Sequence, residues 1–157
     1  MKVGIVGAEA AKFTQDSAAR TRAIIKSILE EDTKQCMSHK TTLVSGGCHL
    51  GGADIYAEEM ADELGLEKLI FKPRELNWSH GYKPRNLQIA HSSDILYNIV
   101  VDKLPEEYKG MSFKVCYHCA KAGKSTEHIK SGGCWTALKT IELRKPAFWI
   151  VIKNYDT

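Results

Sequence analysis

Short runs of β-branched and aliphatic residues alternate along the chain with longer stretches whose apolar positions recur every three or four residues. Lys2 to Val6 reads as a strand ending at Gly7. From Ser17 to Glu31 the residues Ile24, Ile25, Ile28 and Leu29 share one helical face, and Asp16 or Ser17 stands where a side-chain oxygen can cap the first backbone N–H groups. Thr41 to Ser45 predicts a second strand. Ala53, Ala57, Met60, Ala61 and Leu64 then form a helical stripe that Gly65 terminates. Lys68 to Phe71 predicts a third strand, and after the loop KPRELNWSHGYK, Pro84 suits the first turn of a helix reaching Ser92. Asp94 to Val101 supplies a fourth strand, Phe113 to Cys116 a short one, Trp135 to Leu143 a last helix and Ala147 to Ile152 a final strand.

The Ile- and Val-rich runs lack polar alternation, which implies a sheet buried on both faces. Their alternation with helices favours a mostly parallel sheet flanked by helices, a three-layer α/β architecture. No linker, low-complexity segment or repeat divides the sequence, so residues 1–157 are expected to form one domain.

Composition narrows the function. A chain of 157 residues, 43% hydrophobic, can build a core of ordinary size. Its net charge of +3 comes from 22 Lys and Arg against 19 Asp and Glu, with no like-charge run of the kind that marks a nucleic-acid tail. The opening MKVGIVG is too short for a signal peptide, and no segment approaches the roughly 20 apolar residues of a membrane helix. A soluble, cytoplasmic protein without a membrane partner is expected. Five cysteines, an odd number, argue for reduced thiols rather than a disulfide framework.

In an open parallel sheet, ligands bind beyond the carboxyl ends of the strands, where loops lead into helix N-termini. The stretch LVSGGCHLGGADIYAEEMADELG, residues 43–65, lies at such a point. Gly46 and Gly47 permit a close backbone approach to a ligand, and Gly51 and Gly52 precede a helix whose free N–H groups attract anions. SGGCWTALK at 131–139 repeats the pattern with Ser131, Gly132 and Gly133 before Thr136. Gly7 and Ala8 add a third turn after the first strand. Neither the dinucleotide fingerprint nor the nucleotide P-loop is present, and no cofactor is expected. For each glycine pair alone, simple loop closure is an equal alternative; together they favour a phosphate site. Asp54 either serves its helix dipole or accepts from a ribose hydroxyl or base edge. Arg85 and Asn86 open another helix, where an arginine opposes the dipole and an anion would explain it. Trp78 and Trp135 are candidates for stacking on a base, with a core position as the alternative.

CYHCAKAGKSTEHIKSGGC brings Cys116, His118, Cys119, His128 and Cys134 into nineteen residues. Cys116 and Cys119 form half of a zinc site that His128 and Cys134 would complete. The alternative is a set of free, buried thiols at a strand end, with His118 and His128 facing the phosphate pocket instead. The loop between Tyr117 and Lys130 is long enough to be a lid.

LVSGGCHLGGADIYAEEMA, followed by KPRN and SGGCWT, resembles the Rossmann-like SLOG/LOG superfamily, which includes the Lonely Guy phosphoribohydrolases and the DNA-processing protein A family. The resemblance runs from Val3 to about Ile152. It implies a nucleotide or nucleotide-derived ligand, a homo-oligomer, and a site in which Ser45, Gly46, Gly47 and Asp54 match the first glycine motif. Arg85 and Asn86 match the arginine motif, and Gly132, Gly133 and Thr136 match the phosphate-binding motif. The phosphoribohydrolases carry Pro-Gly-Gly-x-Gly-Thr-x-x-Glu. Here Ser131 replaces the proline, Trp135 a glycine and Lys139 the glutamate. Three functions follow. The first is a nucleotide-binding protein, for instance a sensor. The second is an N-glycosidic hydrolase or transferase relying on Asp54 and Arg85, with Glu58 as a further carboxylate. The third is a single-stranded nucleic-acid binder.

Overall fold

The computed structural model describes residues 1–35, 40–111, 115–124 and 127–155. Its elements are β1 (Lys2–Gly7), α1 (Gln15–Gln35), β2 (Thr42–Ser45), α2 (Ala53–Glu63), β3 (Glu67–Ile70), α3 (Lys83–Ser92), β4 (Ile95–Val101), α4 (Tyr117–Lys121), α5 (Gly132–Glu142) and β5 (Ala147–Ile152). The five strands pair in parallel in the order β3-β2-β1-β4-β5. Val3 of β1 lies between Leu43 of β2 and Ile95 of β4, so aliphatic side chains line up across the sheet.

Successive strand residues serve opposite layers, as the period of two requires. Val3, Ile5 and Leu43 pack with Ile25 and Leu29 of α1 and Ala57 and Ala61 of α2. Val6, Val44 and Leu96 pack with Ile89 of α3 and Ala137 of α5 on the other face. The result is a three-layer Rossmann-like α/β fold. Strand order reverses at β1, with β2 on one side and β4 on the other, so a crevice opens above the carboxyl ends of these strands.

Several boundaries depart from expectation for local reasons. α1 is capped by Thr14, not by Asp16 or Ser17. The Ser17 N–H donates to Thr14 Oγ1 at 3.0 Å while the Thr14 N–H donates to Ser17 Oγ at 2.8 Å, a reciprocal capping pair. Asp16 instead pairs with Arg20 at 2.9 Å. α5 starts at Gly132 rather than Trp135, because the extended backbone of Ser131 already serves as its N-cap. The expected strand from Phe113 to Cys116 falls partly outside the described residues. Cys116 itself is the N-cap of α4, a short helix within the stretch expected to be a loop. Among the described residues no helix is long and apolar enough to cross a membrane.

Asn154, just past β5, anchors the turns around the crevice. Its amide donates to the carbonyls of Lys12 and Lys103 at 2.8 and 2.5 Å, while its Oδ1 accepts from Ser17 Oγ at 2.5 Å. One buried side chain thus ties the start of α1 to the loops after β1 and β4.

Candidate functional site

α2 and α5 begin without a side-chain cap at one cleft of about 370 Å³ at the reversal of strand order, and α3 enters it as the continuation of a helical turn, Trp78–Tyr82, capped by Asn77. Its wall carries Gly7 at the end of β1, Asp54 of α2, Arg85 and Asn86 of α3, and Ser131, Gly132, Gly133 and Thr136 of α5. Glu9, Lys12, Cys48, His49, Trp78, Tyr82 and Tyr108 add further polar and aromatic groups to its lining. Residues far apart in sequence meet here because each follows the carboxyl end of a strand.

Asp54 is 7% exposed, and its carboxyl is pushed up to about 6. Burial is the main cause. The Arg85 guanidinium and the backbone N–H groups of Cys48 and Gly46 oppose it, and the neighbouring Glu58 reinforces it. Arg85 is also buried. Its Nη1 donates to the Gly46 carbonyl at 2.5 Å and its Nε to Asn86 Oδ1 at 2.8 Å. A Cβ at Gly46 would overlap this guanidinium, which accounts for glycine there. Arg85 therefore locks the β2–α2 turn while remaining on the cleft wall.

On the opposite wall, Lys12 Nζ donates to the Lys130 carbonyl at 3.0 Å, and burial lowers the pKa of its ammonium against the opposing effect of Glu9. The Tyr108 hydroxyl donates to Glu9 Oε1 at 2.9 Å. Cations and anions thus face one cleft beside the open N-terminus of α5, an arrangement able to hold an anionic group and orient a neutral polar one.

Several expected residues lie elsewhere. Ser45 is wholly buried behind the cleft, its hydroxyl donating to Glu58 Oε2 at 3.1 Å. Gly46 lies beneath Arg85, and Gly47 lines an adjoining cleft with Lys72 and Tyr82. Ala8 is buried, its backbone spanning β4 and α2: its N–H donates to the Ile99 carbonyl at 2.9 Å and its carbonyl accepts from the Ala53 N–H at 3.0 Å. Trp135 does not line the cleft; it meets Trp78 edge to face at 5.0 Å between centroids. Lys139 points to the surface, paired with Glu142 at 2.9 Å and lying 5.4 Å from the Trp135 ring centroid. Position 139 thus lies off the cleft wall.

Behind the first turn of α5, Cys116, Cys119, His128 and Cys134 are all buried with their ligand atoms within 4.8 Å of one another. Cys134 Sγ lies 3.5 Å from His128 Nε2 and accepts from Asn98 Nδ2 at 3.4 Å. Burial opposes ionisation of the Cys134 thiol, but the contacts with His128, the Ser131 backbone and Asn98 outweigh it and bring the pKa down to about 6. Burial pushes the Cys119 thiol strongly up. Neither His118 nor His128 lines the cleft, so the alternative in which they face it does not hold.

Glu9, Lys12 and Tyr108 carried no motif in the sequence. Lys12 and Glu9 sit in the turn after β1, a position that topology alone would flag. Asn98 did leave a signal, a lone amide within the apolar run ILYNIVV.

No protein-family model matches the chain, and no curated protein matches it in sequence. Among solved structures, the molybdenum cofactor carrier protein from Chlamydomonas reinhardtii is similar with a TM-score of 0.57 and 17% identity, covering 94% of this chain and 74% of that one. At this identity the likeness is one of fold, and the chain shares with that carrier protein a Rossmann-like α/β architecture built on a parallel sheet.

Proposed function

We propose that the cleft binds a phosphorylated small molecule of the nucleotide class, and that the chain works by binding it, as a carrier or sensor does. The observation that carries this reading is the uncapped N-terminus of α5, with Gly132 and Gly133 in its first turn, opening on the same cleft as Lys12, Arg85 and Asp54. Free N–H groups and the helix dipole suit a phosphate, which Thr136 and Lys12 would flank. Asp54 suits a sugar hydroxyl, since a buried carboxylate gains most from a donor that a ligand brings. The fold neighbour is named for carrying a cofactor, an activity of the same kind, and the glycine and arginine motifs favour membership of the SLOG superfamily.

Calorimetric titration with nucleoside monophosphates and the matching nucleosides tests this. The nucleotides should bind at least about 10-fold tighter, roughly 1.4 kcal/mol, and Lys12→Ala should narrow that gap. Equal affinity for nucleoside and nucleotide, or no binding of either, overturns the proposal.

A second reading has one observation in its favour. A carboxyl with a pKa of about 6 on the cleft wall is suited to acid–base or charge-stabilising work in N-glycosidic cleavage. That reading expects free base to appear from a nucleotide and to vanish in Asp54→Asn.

A further inference from the structure

The connection between β4 and α5 runs from Asp102 to Ser131, and its described residues contain one helix of five residues and no strand. Such a length of chain is costly to order and must be held by something. Its two ends reach the main core through Leu104 and Ile129, and between them Cys116 and Cys119 pack with Val100, Cys134 and the partly buried Trp149. What this small cluster lacks in hydrocarbon it has in soft donor atoms.

We propose that Cys116, Cys119, His128 and Cys134 form a structural zinc site that clamps α4 and the segment around His128 to the first turn of α5. Three thiols and one imidazole are one of the donor sets that structural zinc takes, and hard cations such as magnesium or calcium do not favour it. The four side chains are 0%, 0%, 1% and 0% exposed, so the site is closed. With zinc–sulfur bonds of about 2.3 Å and zinc–nitrogen bonds of about 2.0 Å, the sulfur–nitrogen edge of a tetrahedron is about 3.5 Å. Cys134 Sγ and His128 Nε2 are separated by 3.5 Å. The full set lies within 4.8 Å, so a small inward movement completes the tetrahedron.

The surroundings fit a metal better than they fit free thiols. The imidazole of His128 is buried, and among the described residues its Nε2 meets the Cys134 sulfur at 3.5 Å. Zinc on Nε2 would hold the neutral ring with its proton on Nδ1. A disulfide would consume two of the three sulfurs and leave that histidine unexplained. Asn98 Nδ2, donating to Cys134 Sγ at 3.4 Å, is the kind of outer contact that steadies a metal-bound thiolate. Four protein ligands leave no open position, which makes the site structural rather than catalytic. Zinc binding would exchange thiol protons for the metal, with no electron transferred.

The test uses the metal alone and is independent of any cleft ligand. Chain purified under reducing conditions without chelator should carry one zinc per molecule. Stripped of metal and kept reduced, it should bind cobalt(II) with tetrahedral visible bands and thiolate-to-metal absorption in the near ultraviolet, and zinc should abolish both. Cys119→Ser should remove roughly one third of the thiolate absorption, since one of three thiolates is lost. Asn98→Ala should weaken metal affinity by about 10- to 100-fold. Cys48→Ser should leave the cobalt spectrum unchanged. Should the cysteine variants fail to fold, titration of the wild-type chain with a mercurial reports instead, and zinc should leave only as three thiols react. Zinc below about one tenth per chain together with an octahedral cobalt spectrum overturns the proposal. So does stoichiometric zinc that survives loss of Cys116 and Cys119.

Discussion

Replacing Asp54 by Asn measures how much the cleft costs the fold. Asn has the shape of the protonated acid and cannot ionise, so the variant differs from the wild type by the charge alone. In the folded chain this carboxyl is raised from 3.8 to about 6, chiefly by burial. The sign follows from proton counting. Between these two values the unfolded chain has lost the proton while the folded chain keeps it, so stability conferred by the neutral acid falls as pH rises and is fully lost above the folded value. The shift from 3.8 to about 6 corresponds to a penalty of about 3 kcal/mol near pH 7.5 and roughly half of that near pH 5. Urea unfolding of both proteins at these two pH values should show Asp54→Asn gaining on the wild type by about 1–2 kcal/mol as pH rises. Arg85 and Glu58, which face Asp54, are unchanged between the two proteins. A gap independent of pH, or one that closes as pH rises, would refute the argument. A carboxylate that costs stability at neutral pH and faces a cleft is what a functional group under a stability trade-off looks like.

Three further substitutions probe the frame around the cleft. Gly133→Ala would normally favour a helix, yet its Cβ would overlap Asn98 Oδ1 and come 3.0 Å from the Gly7 N, so a loss of about 1–3 kcal/mol in chemical denaturation is expected. A gain in stability would show that this approach is not tight. Asn154→Ala leaves the Lys12 and Lys103 carbonyls and Ser17 Oγ short of partners and should cost about 2–4 kcal/mol, with proteolysis appearing first in the loops after β1 and β4. Unchanged stability would mean that water replaces the amide. Lys139→Ala removes a surface pair with Glu142 and an exposed cation–ring contact with Trp135, and should cost under about 1 kcal/mol of stability and no nucleotide affinity; a large loss of affinity would place Lys139 in the site.

Periodicity along the chain was enough to locate the five strands that pair and four of the helices, because backbone geometry writes the periods of two and 3.6 into neighbouring residues. The parallel sheet was legible for the same reason: strands such as TLVS and ILYNIVV are apolar on successive positions and need cover on both faces. Glycines at strand ends marked the edge where the cleft lies. α5 starts three residues before the expected Trp135, since Gly132 and Gly133 are poor helix formers by sequence and the close packing of Gly133 against Gly7 and Asn98 is a tertiary contact. Tertiary structure alone decided that Ser45 and Gly46 turn behind Arg85, that Lys12, Glu9 and Tyr108 reach the cleft, and that Trp135 and Lys139 do not. It also brought three cysteines and His128 within 4.8 Å, whereas their spacing, with one CxxC half-site, had favoured free buried thiols over zinc. Local pattern is set by bonds between neighbours; which side chains share a space is set by how the layers pack, and that is where the chemistry of this chain resides.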